Sequence, residues 1–127
     1  MTTTILILLI AFQIKHLIAD YYLQFPYMYE NKGQKTGWFY PLMEHAGMHM
    51  AGTMIILIAY SVYKDSQAIF ITSMMLSLFD FITHFITDRW KATRGRKPDE
   101  KKFWTDLGID QMVHHVVGII IVYVITL

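Results

Sequence analysis

The stretch Asp80-Phe-Ile-Thr-His84-Phe-Ile-Thr-Asp88 constrains this chain more than any other. An acid, an imidazole and a second acid recur at every fourth residue, inside a run otherwise apolar enough for a bilayer. A step of four on an α-helix advances about one turn, so the three side chains line one face. A strand is a poor alternative, because its polar residues would follow a step of two. Ionisable groups in hydrocarbon persist only when paired, hydrated or bound to something. The segment therefore needs partners, and the rest of the chain must supply them.

Four runs are long and apolar enough to span a membrane: 4–23, 41–63, 66–90 and 104–127. Each has about 20 residues or more, the length a bilayer core requires. With 54% hydrophobic and 17% charged residues, the 127-residue chain is too apolar for an ordinary soluble domain. The expectation is a single domain, an all-α membrane protein built as a four-transmembrane-helix bundle. Bulk charge, at +1, says nothing about partners, and the lipid bilayer rather than nucleic acid is the expected surrounding. Cysteine is absent, which rules out disulfides and thiolate metal sites and leaves His, Asp, Glu or backbone as ligands. The first apolar run lacks a basic leader and a small-residue cleavage site, so a cleaved signal peptide is not expected.

The connections carry their own signals. Residues 25–40 hold Pro26, Asn31, Lys32, Gly33 and Gly37, a loop with room for a short interfacial turn. Tyr27, Tyr29, Trp38 and Phe39 suit the headgroup zone, and Pro41 suits a first helical turn. The link at Lys64 and Asp65 is very short, with Asp65 or Ser66 as the next N-cap, so the second and third spans are antiparallel neighbours. The third connection sets Lys91, Arg94, Arg96, Lys97, Lys101 and Lys102 against Asp99 and Glu100, and Thr105 or a neighbour caps the fourth span. The positive-inside rule places loops 24–40 and 91–103 in the cytoplasm and both termini outside.

Every span carries polar residues at a spacing of four. These are His16 and Asp20, followed by Gln24; His45 and His49, followed by Gly52; Asp80, His84 and Asp88; and Asp106, Asp110 and His114, followed by Gly118. Counted from the cytoplasmic end of each helix, these sets fall at one depth, in the inner half of the bilayer. Imidazole and carboxylate are what zinc, manganese or iron accept without thiolate. Nine groups (His16, Asp20, His45, His49, Asp80, His84, Asp88, Asp110, His114) are too many for one ion and suit two zinc ions sharing a carboxylate, with manganese or iron as alternatives. The plainer reading is a set of helix–helix hydrogen bonds and hydrated residues at headgroup level. Single residues have plain readings too. Lys15 snorkels, Asp106 is an acid favoured at a helix N-terminus, and His115 either supports a ligand from behind or packs. Ser73 and Ser77 pack or line an ion path, and Gly47, Gly52 and Gly118 allow close helix approach.

The segments His16-Leu-Ile-Ala-Asp20-Tyr-Tyr-Leu-Gln24, Glu30-Asn31-Lys32, His45 and His49, Asp80 to Asp88, and Asp110-Gln111-x2-His114 together resemble a known family. They look like the bacterial and phage membrane proteins grouped as domain of unknown function 3307. The resemblance covers nearly the whole chain and implies a bacterial inner-membrane or phage-encoded protein. More loosely, His/Asp pairs on membrane helices are similar to membrane-bound metal-dependent hydrolases, which would imply hydrolysis.

Three functions remain open at this stage. The first is a hydrolase acting on a phosphoester or lipid-linked anionic substrate at the cytoplasmic leaflet. Asp20 or Asp88 would then bridge the metals or act as general base, as the catalytic carboxylate. Arg89, Lys91, Arg94 and Arg96 at the mouth would hold the anionic head group, unless this basic run only orients the protein. The second is a metal or proton carrier, which at this size would need a homodimer. The third is a structural membrane protein whose buried polar groups set helix register.

Overall fold

Each apolar run forms a helix, and the computed structural model describes residues 2–127. Helix α1, Thr2–Leu17, continues into a π-helical turn, Ile18–Tyr22. A short α2, Pro26–Asn31, follows in the first connection. The remaining spans are α3, Phe39–Tyr63, α4, Gln67–Thr93, and α5, Lys101–Thr126. All four long helices have the length and hydropathy to cross a membrane. The expected all-α membrane bundle is therefore what forms.

Neighbours in the bundle are consecutive in sequence. α1 packs on α3, α3 on α4, α4 on α5, and α5 closes the ring on α1. The α3–α4 link is as tight as its sequence implies: Asp65 turns the chain at φ +47°, and Ser66 caps α4 by accepting from the Ile69 amide at 3.4 Å. At the other end, α5 starts earlier than Thr105. Glu100 is its N-cap residue, and the Glu100 side chain accepts instead from the Lys97 amide.

Burial is distributed as lipid solvation requires. Ile55, Met75, Ile86 and Tyr123 lie on the outside, each more than 60% exposed, whereas His49, Asp80, His84 and Asp110 are fully buried. A soluble bundle would place these the other way round. The apolar core occupies the half of the bundle that holds the N-terminus of α1. Leu8 and Phe12 meet Leu57 and Tyr60 there, with Val117, Ile121, Val122 and Ile125 from α5. Ser73 and Ser77 run toward this layer along α4. Ser73 donates to the Leu57 and Ile69 carbonyls, and Ser77 donates to the Ser73 carbonyl.

Two glycines admit close approach. A Cβ at Gly33 would sit 2.6 Å from the Ala92 carbonyl oxygen, so this loop position can lie against the end of α4 only without a side chain. A Cβ at Gly52 would sit 2.7 Å from Lys15 Cγ. Gly118 faces Phe12 at ordinary contact distance, and Gly47 faces open space, so Gly47 serves no helix approach. The Gly52 notch matters because Lys15 does not snorkel. It turns inward across Gly52 and is buried. Gly52→Ala should therefore push the lysine stem aside and lower stability by about 1–3 kcal/mol, read as thermal unfolding in detergent, whereas Gly47→Ala should leave stability unchanged or raise it slightly.

Candidate metal centre

Antiparallel threading gathers the polar side chains of all four spans. α1 supplies His16, and the π turn that ends it supplies Asp20. His45 and His49 come from α3, Asp80, His84 and Asp88 from α4, and Asp110 and His114 from α5. A π turn inserts an extra residue and recurs at functional sites. Here it ends the helix at Tyr22, and Gln24 beyond it donates to the Asp20 carbonyl at 3.3 Å and accepts from Lys32 Nζ at 2.6 Å.

Eight of the nine expected ligands form three triads, in each of which one atom per residue lies within 4.8 Å of the others. The triads are His16–His49–His84, Asp20–His45–His49 and Asp88–Asp110–His114. The first two share His49, and His45 Nε2 lies 3.6 Å from Asp88 Oδ2, so the three make one contiguous cluster. The His84 ring lies between His49 and His114, with centroids at 3.7 and 4.0 Å and the latter pair nearly parallel.

Two kinds of contact run through the cluster. Short ones are hydrogen bonds. His49 Nε2 donates to Asp20 Oδ1 at 2.9 Å, and His16 Nε2 donates to Gln111 Oε1 at 3.0 Å. Gln111 in turn donates to Asp20 Oδ2 and Asp110 Oδ2. The longer contacts are too wide for a good hydrogen bond. His114 Nε2 stands 3.4 Å from Asp110 Oδ1 and 3.7 Å from Asp88 Oδ2, and His45 Nε2 stands 3.4 Å from Asp20 Oδ1. A tetrahedral zinc with bonds of about 2.0–2.2 Å spaces its ligand atoms about 3.4 Å apart. Asp88 Oδ2 and Asp110 Oδ1 are buried without a hydrogen-bond partner, as are His84 Nε2 and the Nδ1 atoms of His45, His49 and His114. Each such atom costs about 1–3 kcal/mol when unsatisfied.

The opposite edges of three carboxylates are held by lysines. Lys15 Nζ donates to Asp80 Oδ2 at 2.8 Å and to Thr53 Oγ1, whose own hydroxyl donates to the same Asp80 oxygen at 2.6 Å. Asp80 Oδ1 lies 3.1 Å from His84 Nδ1. Asp80 is thereby occupied on both oxygens and stays out of the triads. Lys32 Nζ donates to Asp88 Oδ1 at 2.7 Å, and Lys91 Nζ donates to Asp110 Oδ2 at 2.6 Å. Four carboxylates (Asp20, Asp80, Asp88, Asp110) against three ammoniums (Lys15, Lys32, Lys91) leave one negative charge when the histidines are neutral.

Residues 7–127, which include the whole cluster, match the family described as "Protein of unknown function (DUF3307)". The chain belongs to that family. No curated protein and no solved structure matches it.

In this member of the DUF3307 family the basic residues are placed differently from the sequence expectation. Arg89 donates to the Lys32 and Gln34 carbonyls, at 2.7 and 3.1 Å, and lies over the Trp38 ring. It clamps the first connection so that Lys32 reaches Asp88. Arg96 and Arg94 engage Asp106, with Nε atoms at 3.0 and 3.8 Å, and Arg94 also covers Trp90. Asp106 lies in the second turn of α5 and is buried against these arginines, so a helix-terminal role does not describe it. His115 stays outside the triads, beside the His16 ring.

Sequence reasoning passed over Lys15, Lys32, Thr53 and Gln111. Lys91, three residues after Asp88 on one helix, gave a local signal for its neighbourhood, and Gln111 sits beside Asp110 in the motif. Nothing local marks Lys32 as an interior residue, since only the loop fold carries it inward. Lys32→Met should strand the Asp88 charge and cost about 3–5 kcal/mol, measured by unfolding in detergent without metal. The double variant Lys32→Met/Asp88→Asn should recover much of that loss, and additive losses would contradict the coupling.

Proposed function

We propose that the chain is an integral membrane metalloprotein that binds a divalent cation, zinc foremost with manganese or iron as alternatives, and uses it to hydrolyse a phosphoester or lipid-linked substrate. The observation that carries this reading is the pair of unpartnered carboxylate oxygens, Asp88 Oδ2 and Asp110 Oδ1, which face the Nε2 atoms of His45 and His114 at 3.4–3.7 Å. Direct hydrogen bonds would close these gaps to about 3 Å. The charge balance favours one dication over two. One ion turns the cluster from one negative charge to one positive, whereas two would leave three positive charges among apolar helices.

Such an ion supplies a Lewis acid and a bound water of lowered pKa. The chain's own contribution is orientation. Lys32 and Lys91 fix the outer oxygens of Asp88 and Asp110, so the inner oxygens point at the cluster. Asp20 is the most accessible of the four carboxylates, with 15% of its side chain exposed, and is the group suited to take a proton from a substrate water. The site would face the cytoplasmic leaflet of a bacterial inner membrane, with the basic connection after α4 on that side.

A second reading has its own observation. The three Lys–Asp pairs could hold the helices in register without any metal. Metal content separates the two. Protein purified without chelator should retain one equivalent of zinc or a related ion by elemental mass spectrometry, and His45→Ala and His114→Ala should lose it while staying folded. A metal-free wild type would favour the structural reading. Hydrolysis is checked separately: a phosphodiester lipid probe in vesicles should be cleaved by the metal-loaded protein, with chelator and Asp20→Asn each lowering the rate by about 100-fold or more.

A further inference from the structure

A cavity of about 610 Å³ opens on the side of the two longer connections. Its lining comes from the first connection, the end of α4 and the start of α5, and includes Lys32, Lys91 and Arg96 with Glu30 and Asp106. Lys32 and Lys91 are thus shared. Both residues border this cavity, as does Gln24, whose amide oxygen accepts from Lys32 Nζ at 2.6 Å, and each ammonium holds a carboxylate of the cluster. They stand 2.7 and 3.8 Å from the same atom, Asp88 Oδ1.

The ammoniums are neutralised as long as Asp88 and Asp110 serve them alone. A dication drawing on the inner oxygens of the same carboxylates changes this. Cluster charge then passes from one negative to one positive, and a low-dielectric setting penalises the surplus. The surplus lies beside the cavity, because both lysines line it and Lys91 is 23% exposed. Arg96 and Asp106 on the wall offset each other at 3.0 Å. Glu30 is the remaining acid of the wall, and it is exposed.

We propose that this cavity is a phosphate-type anion site whose occupancy is coupled to the metal: an anion seats against Lys32 and Lys91 once the dication is bound, and it restores neutrality. The inference rests on the metal reading and extends it by naming the chemical class that enters and the residues that receive it. These are the two interior lysines, of which Lys91 was among the basic residues the sequence suggested and Lys32 was not. A lipid phosphodiester head group and free phosphate share this chemistry.

Linkage gives the test, because two coupled ligands raise each other's affinity by the same factor. Zinc affinity of the wild-type protein in neutral detergent is measured by competition with a fluorescent chelator, with and without inorganic phosphate. The expected result is roughly tenfold tighter zinc binding with phosphate, and phosphate binding, followed by phosphorus NMR, that strengthens equally on adding zinc. Lys91→Gln can still donate to Asp110 but lacks the charge. It should bind zinc at least as tightly as wild type without phosphate and lose the coupling, Lys91→Arg should keep it, and Lys102→Gln on the exposed surface should behave as wild type. Nanodiscs separate the two sources. Greater zinc affinity in phosphatidylglycerol than in an uncharged glycolipid, without added phosphate, identifies a lipid head group; equal affinity there with coupling to free phosphate identifies the soluble anion. Zinc binding that phosphate does not change, with no difference between nanodiscs, overturns the anion site and leaves the metal reading standing. Absence of zinc binding by wild type overturns both. Should Lys91→Gln not fold, the wild-type linkage decides alone.

Discussion

A carboxylate buried among lipid-facing helices must be balanced by a charge that the chain itself brings inward. That requirement organises this bundle. Asp80, Asp88 and Asp110 each have a lysine at 2.6–2.8 Å, and the three lysines come from three different parts of the chain. Lys15 reaches across the Gly52 notch, Lys32 is carried in by a clamped loop, and Lys91 extends from the end of α4 itself. Each pair therefore ties one element to another. Breaking a buried pair is expensive, while the intact pair adds little net stability, so its value lies in fixing where the carboxylate points.

That orientation produces the site. Because the lysines take the outer oxygens of Asp88 and Asp110, the inner oxygens are left facing imidazoles at distances that suit an intervening ion. Asp80 is different: Lys15, Thr53 and His84 occupy both of its oxygens, which removes it from the group of donors. The apolar layer of Leu8, Phe12, Leu57 and Ile121 closes the bundle beyond this level. The loop end, where the Arg89 clamp lies, holds the cavity lined by Lys32 and Lys91.

Much of this was legible in the sequence. Four apolar runs define the spans, and a spacing of four in every span assigns the polar face of each helix. Antiparallel threading then brings His16, Asp20, His45, His49, His84, Asp88, Asp110 and His114 together without any knowledge of side-chain geometry. The inward turn of Lys15 and Lys32 was not legible for a physical reason. A long flexible side chain next to a membrane span can snorkel to water or turn inward, and spacing alone does not distinguish the two. Lys15 turns inward because Gly52 leaves room and Asp80 waits behind it, a fact of tertiary packing. The contacts of Arg89 were hidden for a related reason: its partners are the Lys32 and Gln34 backbone carbonyls, which no residue pattern reveals.

The most direct measurement is X-ray absorption at the zinc edge on protein loaded with one equivalent of zinc. A cluster that grips the ion should give an all nitrogen/oxygen shell of four to five ligands at about 2.0–2.1 Å, with the outer-shell scattering of at least two imidazoles. That imidazole signature should weaken in His114→Ala. A spectrum of zinc surrounded by water alone, unchanged by the substitution, would mean that these acids and histidines meet only to hold one another.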